Sequence, residues 1–321
     1  MKAIVGTEYG GPDGLRLEDV PVPSPGPNQV LVRVVAASLN PLDWHYMRGK
    51  PYLLRTSAGY RRPKRTVRGV DAAGVVEAVG AEVTDFKPGD QVFGLCAGSL
   101  AEYGVSEAKD ELAAKPEALS YERAAALPIA GCTALQAIRR ADLKSGQTLL
   151  VNGAAGGVGT FAVQIAAQMG AEVTGVCSTA NLDTVRSLGA TSVIDYTAKD
   201  FTASGDRYDV VLDLVGNHSL GDLRRCIHRH GTLVLSAPRP GEWIAPLVLP
   251  LGAMVTGKIR GERLLPILAK VNREDLGTLA DLTADEKISP VVSRTCSLGD
   301  APEAMRHLET SHALGKLVVT I

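Results

Sequence analysis

The sequence from Leu149 to Gly159 reads LLVNGAAGGVG, a short apolar run that leads into a glycine-rich turn. The run has the length of a buried strand, and beyond the turn Phe161, Ile165 and Met169 recur at helical spacing. The stretch therefore predicts a strand, a tight turn and a helix. Because the N-terminus of such a helix presents unpaired N–H groups and a partial positive charge, a phosphate is expected at the turn.

The glycines match the dinucleotide-binding pattern G-x-G-x-x-G only in part, because Ala154 occupies the position of its first glycine. The context strengthens the match, since a strand precedes the turn, a helix follows it, and a second strand begins at Glu172. Gly156 would let the backbone approach a pyrophosphate, and Gly159 would let the helix pack close to the strand. An ordinary strand-turn-helix without a ligand is the alternative. The dinucleotide contacts predicted in this turn are Gly153, Ala154, Ala155, Gly156, Gly157, Val158 and Gly159.

The end of the second strand indicates which nicotinamide cofactor is bound. Folds that bind NAD place an Asp or Glu there, about 20 residues beyond the glycines, to accept a hydrogen bond from the ribose 2′-OH. Here Cys177 is followed by Ser178, Thr179 and Asn181, and no carboxylate occurs before Asp183. These hydroxyl and amide groups could donate hydrogen bonds to a 2′-phosphate without repelling it. We therefore expect NADPH as the cofactor, bound in part by Ser178, Thr179 and Asn181.

Strand and helix patterns divide the chain into two parts. Up to residue 120, short strands separated by Gly/Pro turns indicate a compact β domain or barrel. Beyond it, helices alternate with strands predicted at residues 148–152, 172–177, 192–195, 208–214 and 231–236. This alternation indicates a doubly wound parallel sheet. Farther on, residues 264–270, 273–285 and 300–309 are expected to be helical, and residues 291–296 and 317–321 to be strands.

The composition bounds the class of protein. A chain of 321 residues exceeds what one core usually serves, and a net charge of −1 gives no general attraction to nucleic acid or membrane. Prolines interrupt the longest apolar stretch, Trp243 to Val255, so no membrane span is expected. Glu8 precedes any long apolar region, so no secretory signal is expected either. Dispersed cysteines suit a cytoplasmic enzyme with free thiols: Cys96, Cys132, Cys177, Cys226 and Cys296.

Basic residues dominate the segment from Trp44 to Val70, which contains no acidic residue. Such a segment could form a positive rim that attracts an anionic substrate or the cofactor phosphates. A solvated surface loop is the simpler interpretation. The sequence leaves the role of residues 48–68 open.

Five short stretches, taken in order, resemble the medium-chain dehydrogenase/reductase superfamily. They are ASLNPLD at 37–43, GVDAAGVV at 69–76, KPGDQV at 87–92, the glycine loop at 156–159 and VIDY at 193–196. The resemblance covers essentially the whole chain. It implies an α/β protein with a GroES-like β-barrel domain, residues 1–120 and 290–321, and a Rossmann doubly wound parallel-sheet domain, residues 121–289.

Missing metal ligands indicate one branch of that superfamily. Zinc-dependent members carry a cysteine where this chain has Asn40, and a Gly-His-Glu where it has Gly69, Val70 and Asp71. Their four-cysteine lobe has no counterpart in the sequence between residues 89 and 111. Because zinc needs three or four Cys, His or carboxylate ligands, Asp71 alone would not hold it, and no metal is expected. The chain resembles the zinc-independent quinone oxidoreductase and enone reductase branch.

This resemblance implies reduction of a quinone or an α,β-unsaturated carbonyl by hydride from NADPH, without zinc. Hydrogen-bond donors would stabilise the charge that develops on the carbonyl oxygen. The alternative is a non-catalytic NADPH-binding protein of the same fold, with a structural or regulatory role. The resemblance also implies a homodimer formed through the Rossmann domain, in which the apolar stretch Ile244 to Val255 could cover a sheet edge.

The resemblance assigns roles to individual residues. Asn40 matches an asparagine beside the nicotinamide, although it could simply cap the turn before Pro41. The family's donor, usually a tyrosine a few residues on, could be His45 or Tyr46 here, unless His45 is an exposed loop residue and Tyr46 a packed aromatic. The predicted catalytic residues are therefore Asn40, His45 and Tyr46, while Asp43 is expected to hold a turn. Further predicted cofactor contacts are Thr133, Val215, Gly216, Ser236 and Tyr196, which matches a tyrosine that contacts the 2′-phosphate.

Overall fold

The computed structural model describes residues 1–236, 261–310 and 313–321. Contacts group the chain into two compact units, residues 1–132, 270–286 and 290–321 in the first, and residues 133–269 and 287–289 in the second. The grouping differs from the predicted domain boundaries because residues 121–132 and 270–286 make their contacts within the first unit. The stretch from Trp243 to Val255, including the sheet cover predicted at Ile244 to Val255, lies outside the described residues.

No helix in the described ranges is both long enough and apolar enough to cross a bilayer.

Secondary structure follows the sequence pattern along most of the described chain. The strands are β1 (Lys2–Val5), β2 (Arg16–Asp19), β3 (Gln29–Leu39), β4 (Asp71–Val79), β5 (Gln91–Leu95), β6 (Tyr103–Glu107), β7 (Leu112–Ala114), β8 (Thr148–Asn152), β9 (Glu172–Cys177), β10 (Ser192–Asp195), β11 (Tyr208–Asp213), β12 (Ile227–Leu235), β13 (Arg263–Pro266), β14 (Val292–Ser297) and β15 (Lys316–Thr320). The helices are α1 (Pro41–Arg48), α2 (Arg55–Ala58), α3 (Tyr121–Ala125), α4 (Pro128–Ala141), α5 (Gly157–Gln168), α6 (Leu182–Ser187), α7 (Leu220–Arg225), α8 (Arg273–Ala284) and α9 (Ala301–Thr310).

The first unit is built on a largely antiparallel sheet in the order β14-β15-β3-β4-β5-β7, with β6 also paired to β3. Strand β3 forms its centre, and the valines Val30, Val32 and Val34 alternate along it and are buried. The C-terminal strand β15 pairs antiparallel with the end of β3. The last strand of the chain therefore returns to the first domain, as the family resemblance implied.

The second unit is a parallel sheet in the order β10-β9-β8-β11-β12-β13. Counted from β8, this is the order 3-2-1-4-5-6 of a Rossmann fold, and the order reverses between β8 and β11. Leu149, Leu150 and Val151 are fully buried in β8, as the apolar run predicted. Because the strands are parallel, the loops after β8, β9, β10, β11 and β12 share one edge of the sheet. The predicted doubly wound sheet is confirmed.

The prediction of a helix over residues 264–270 is wrong. Residues Arg263–Pro266 form strand β13, which pairs parallel with β12 in a register that sets Leu264 opposite Leu233. A short apolar run does not separate a strand from a helix by its periodicity, and the available partner strand decides. Pro266, which could not donate a helical hydrogen bond, ends the strand.

Candidate active site

The turn after β8 has the backbone geometry of a dinucleotide cradle, a name used below for Gly153 to Gly159. Gly153 opens the turn with a φ of +89°, a left-handed conformation that side chains disfavour. Gly156 is the N-cap of α5. A Cβ on Gly159 would lie only 2.1 Å from the carbonyl oxygen of Gly153, so a glycine is required for the helix to approach the turn this closely.

Gly156 leaves space in front of the helix N-terminus. Its backbone is extended, with φ −74° and ψ 172°, which any residue can adopt. Among the residues that the structure describes, a Cβ there would meet only the carbonyl oxygen of Gly153, at 3.4 Å. The cradle therefore fits a dinucleotide phosphate, because a side chain at this position would fill the place where the helix N–H groups receive an anion.

Asp213, at the end of β11, organises the neighbouring loop. Its Oδ1 accepts hydrogen bonds from the side chain of Asn152, at 2.8 Å, and from the backbone N–H groups of Val215 and Gly216, at 3.2 and 3.1 Å. The backbone N–H of Ser236, after β12, donates to the Asp213 carbonyl oxygen at 3.0 Å. Three of the predicted cofactor residues are thus held at the same sheet edge as the cradle. Asp213 was not among the residues predicted from the sequence, although an acidic residue that ends an apolar strand was a usable signal.

The loop after β9 carries the residues predicted to bind the 2′-phosphate. Asn181 donates from Nδ2 to the hydroxyl oxygen of Ser178 at 3.2 Å, which leaves the Ser178 proton available to a ligand. The Thr179 hydroxyl instead donates to the carboxylate of Asp195, at 2.5 Å. Tyr196 is 45% exposed beside them, and its backbone N–H donates to the Cys177 carbonyl oxygen.

Thr133, the remaining predicted cofactor residue, lies in α4 and is buried. It belongs to the second unit, as the cradle does. Its contact with the cofactor stays a prediction.

Three strands of the first unit bring polar side chains together at one buried point. Asn40 follows β3, Asp71 begins β4, and Lys316 begins β15. Asn40 is 1% exposed; its Nδ2 donates to the Asp71 carboxylate at 2.9 Å, and its Oδ1 accepts from the Lys316 ammonium at 2.5 Å. A longer bond of 3.4 Å joins the same Nδ2 to the carbonyl oxygen of Ser38. With Asp43, described below, these residues form the buried polar cluster Asn40, Asp43, Asp71 and Lys316.

Asp71 and Lys316 form a buried ion pair, with 3.8 Å between the ammonium nitrogen and the nearer carboxylate oxygen. Burial raises the pKa of Asp71 to about 6, against the lowering effects of Lys316 and of the Asn40 hydrogen bond. Burial likewise lowers the pKa of Lys316. Asp71 also accepts from the backbone N–H of Ile129, in the first turn of α4. The cluster therefore links the start of α1 to the start of α4.

Asp43 holds the first turn of α1, as the sequence indicated. Its Oδ2 accepts from the backbone N–H of Asn40 at 2.8 Å, the contact expected of an N3 carboxylate. Its Oδ1 is buried and has no hydrogen-bond partner in the described structure. Burial raises the pKa of Asp43 to about 7. A carboxyl group in this state is poised between its neutral and charged forms at neutral pH.

His45 and Tyr46, the two candidate donors, both lie on α1 and are half-buried. His45 Nδ1 lies 2.8 Å from the carbonyl oxygen of Lys50, which can only accept. In the neutral imidazole the proton is therefore on Nδ1, and Nε2 is an acceptor. Burial lowers the pKa of His45, which favours this neutral form. The Tyr46 hydroxyl makes no hydrogen bond within the described ranges.

The basic segment divides into internal and exposed residues. Arg48 pairs with the carboxylate of Glu309 at 2.7 and 2.8 Å, and buried Arg68 donates to the carbonyl oxygen of Gly6. Arg55 lies over the ring of Tyr9. The cations that point to solvent are Arg61, Arg62, Lys64 and Arg65.

The strand order and the cradle define a dinucleotide-binding protein of the Rossmann class, joined to a β domain. Comparison with protein families agrees with both parts. Residues 26–117 match the alcohol dehydrogenase GroES-like domain. Residues 188–319 match a family described as zinc-binding dehydrogenase.

Individual relatives span the whole chain. The chain is 35% identical to the chloroplastic quinone-oxidoreductase QR1 of Triphysaria versicolor, over 99% of this chain and 98% of that protein. It is 36% identical to the chloroplastic NADPH-dependent alkenal/one oxidoreductase of Arabidopsis thaliana, over 99% of this chain and 79% of that protein. The solved quinone oxidoreductase of Coxiella burnetii superposes with a TM-score of 0.87 at 34% identity, over 100% of this chain and 99% of that one.

The chain belongs to the medium-chain dehydrogenase/reductase superfamily, in its zinc-independent, quinone-oxidoreductase-like branch, and is an NAD(P)-dependent oxidoreductase. The fold and branch predicted from the sequence are confirmed. The expectation of a cytoplasmic protein is wrong on the same comparison, because the names of both plant relatives assign those proteins to chloroplasts.

The residues at the cluster do not fit a zinc ion, although one matching family is described as zinc-binding. The Lys316 ammonium group donates a hydrogen bond to Asn40 Oδ1 and forms an ion pair with Asp71. A metal ion would need these oxygens as ligands. Among residues 1–236, 261–310 and 313–321, no three His, Cys, Asp or Glu side chains form a possible ligand group.

Proposed function

We propose that this chain transfers hydride from NADPH to a quinone or an α,β-unsaturated carbonyl, without a metal. The observation that carries the proposal is the presence in one chain of the dinucleotide cradle and of a cluster in which a lysine neutralises the buried carboxylate. The names of two relatives, a quinone oxidoreductase and an alkenal/one oxidoreductase, support the substrate class.

Bound NADPH supplies the hydride for such a reaction. As hydride adds to the electrophilic carbon, the electron pair of the conjugated bond moves onto the carbonyl oxygen, which then needs a hydrogen-bond donor. Tyr46 suits this role because its hydroxyl proton has no partner in the described structure. Neutral His45 suits it less, since its one N–H is donated to Lys50. A proton from Tyr46 or from water then completes the reduced product.

Asn40 enters the proposal as the residue that orders the start of α1. Its amide nitrogen already donates to Asp71 and Ser38, and its oxygen accepts from Lys316. Its contact with the nicotinamide stays part of the proposal. The Asn40 amide, held by these hydrogen bonds, would present an ordered surface to the nicotinamide ring and reduce the entropy that the ring must lose on binding.

NADPH is the proposed cofactor because polar donors surround the end of β9. The Ser178 hydroxyl, supported by Asn181, can donate to a 2′-phosphate, and Tyr196 is exposed beside it. No acidic residue follows Cys177 directly in the chain. We expect tighter binding of NADPH than of NADH. Fluorescence titration of both dinucleotides would measure this, and tighter NADH binding would contradict it.

NADPH oxidation, followed by absorbance, tests the activity with 1,4-benzoquinone and methyl vinyl ketone as acceptors. Butan-2-one, which lacks the conjugated double bond, is the matched control substrate and should not be reduced. A reaction without NADPH is needed for the quinone, because Cys296 is partly exposed and thiols add to quinones. A protein that binds NADPH but reduces neither acceptor would contradict the proposal and support the non-catalytic alternative, which no observation favours at present.

A further inference from the structure

Asp195 brings a carboxylate to the loop where the sequence appeared to have none. It ends β10, which runs parallel to β9 in a register that sets Asp195 opposite Cys177. Its Oδ2 accepts from the Thr179 hydroxyl at 2.5 Å. Its Oδ1 accepts from the backbone N–H and the hydroxyl of Thr197, at 2.9 and 2.7 Å. An acidic group therefore touches the loop after β9 from the neighbouring strand.

These contacts give the loop two chemically different sides. On one side the Ser178 proton and the second amide hydrogen of Asn181 can be donated to an anion. On the other, Thr179 has donated its proton to Asp195 and offers only lone pairs. The hydrogen bonds from Thr179 and Thr197 lower the pKa of Asp195, so this side carries a full negative charge at neutral pH.

In a Rossmann fold, the residues after the second strand contact the substituents of the adenosine ribose. A 2′-OH can donate to a carboxylate or to a threonine lone pair, whereas a 2′-phosphate can only accept and is itself negative. The Ser178 side of the loop therefore favours NADPH, and the Asp195 side favours NADH.

We propose that Asp195 is a specificity-determining residue, whose charge weakens the binding of the 2′-phosphate and keeps the preference for NADPH over NADH small. The inference rests on the proposed function, since it concerns the cofactor of that reaction. Repulsion between exposed charges a few ångströms apart changes an affinity by roughly a factor of five. It weakens as ionic strength rises, because salt screens exposed charges.

The test is the variant Asp195→Asn, which removes the charge and keeps an oxygen for the N–H of Thr197. We expect the Kd for NADPH to fall by about threefold to tenfold, and the Kd for NADH to change by less than about twofold. The same split should appear with the fragments adenosine 2′,5′-bisphosphate and 5′-AMP, which report on the adenosine half alone. The difference between variant and wild type should shrink when salt is raised from about 0.02 M to about 0.5 M.

Asp200→Asn is the matched control. Asp200 caps its turn in the same way, since it accepts from the backbone N–H and the hydroxyl of Thr202, both at 2.8 Å, and among the described residues these bonds do not involve the loop after β9. The Asp200→Asn variant should leave the ratio of the NADPH affinity to the NADH affinity unchanged. Asp195→Glu, which keeps the charge, should not improve NADPH binding, and Asp195→Ser provides a second neutral variant should the asparagine variant fold poorly.

An Asp195→Asn protein whose NADPH affinity is unchanged, or falls together with that for NADH, would overturn the inference and leave Asp195 as a turn-forming residue. In that case wild-type binding and turnover would still support the proposed function. Wild-type protein that binds neither dinucleotide would overturn both.

Discussion

His45 and Tyr46 are adjacent in α1, yet their polar atoms have different hydrogen-bonding roles. The Lys50 carbonyl fixes the proton of neutral His45 on Nδ1, and stacking of the ring against Trp44, at 3.8 Å between centroids, holds the imidazole in place. Within the described part of the chain, the Tyr46 hydroxyl has no hydrogen-bond partner. Of the two donors that the sequence left open, neutral His45 has already donated its one N–H to Lys50, whereas Tyr46 donates its proton to no residue that the structure describes.

We predict that Tyr46→Phe lowers kcat and kcat/KM together by roughly tenfold to a hundredfold, because under the proposed function it removes a donor used only in the transition state. NADPH affinity should stay nearly unchanged. His45→Phe should lose less activity, because the N–H that it removes is donated to Lys50 and not to the substrate. Steady-state kinetics with the better acceptor would decide, and a larger loss for His45→Phe would reverse the assignment.

The buried carboxyl group of Asp43 should make the stability of the protein depend on pH. Its pKa of about 7 in the folded protein lies above the unfolded value of about 3.9. Between these values the folded state holds a proton that the unfolded state has lost, so Asp43 makes the protein less stable as pH rises toward 7.

The variant Asp43→Asn should escape this loss because it never ionises and can still accept the N–H of Asn40. We expect the difference in unfolding free energy between this variant and wild type to grow by on the order of 2–4 kcal/mol from pH 5 to pH 8. Thermal unfolding of both proteins across that range measures the gain. Equal differences at pH 5 and pH 8 would show that the Asp43 carboxyl is not the titrating group.

The cradle combines two glycines with opposite requirements. Gly159 faces inward, where a Cβ would meet the Gly153 carbonyl oxygen at 2.1 Å, whereas a Cβ on Gly156 would approach no other described atom closer than 3.4 Å. One position is thus needed for the packing of α5 against the turn after β8, and the other for a ligand. The sequence pattern contains both glycines without distinguishing these uses.

We predict that Gly156→Val abolishes NADPH binding while the unfolding temperature stays close to that of wild type. The valine is compatible with the backbone but fills the phosphate space. Gly159→Ala should instead lower the unfolding temperature, because α5 must move away from the turn. Calorimetry and NADPH titration on both variants test this, and a Gly156→Val protein that retains the cofactor would contradict the placement of the pyrophosphate.

Local signals explain which elements were predictable. The strand β8, the turn and α5 follow from an apolar run, glycines and helical spacing within 20 or so residues of chain. Strand β13 was not predictable, because only its pairing with β12 distinguishes it from a helical turn. The contacts of Asp195 with Thr179, and of Lys316 with Asn40, depend on strand order and register, which single-sequence patterns do not contain.

The family resemblance predicts a homodimer formed through the second unit. Strand β13 ends the order of the described parallel sheet, and an edge strand offers unpaired backbone groups. Leu268, two residues beyond it, is 94% exposed, as expected of a side chain that a second copy would cover. Light scattering should therefore give about twice the chain mass of 33.7 kDa.

The variant Leu268→Asp should weaken the dimer and shift the mass toward the monomer. Leu17→Asp is the control, because Leu17 is a 45% exposed leucine in β2 of the first unit. Wild-type protein that is monomeric at working concentration would contradict the dimer. A dimer that is equally insensitive to both substitutions would locate its interface away from β13.

We predict that the protein works without bound zinc. One of the two matching families is described as zinc-binding, so the zinc content of this protein has to be measured. Lys316 already supplies the positive charge that Asp71 needs, and its ammonium holds the oxygen of Asn40. A zinc ion would have to displace this cation and find further ligands. We expect active protein to contain far less than one zinc per chain, and chelators to leave kcat unchanged. Stoichiometric zinc in active protein, with activity lost to a chelator and restored by zinc, would show that the cluster opens to accept a metal.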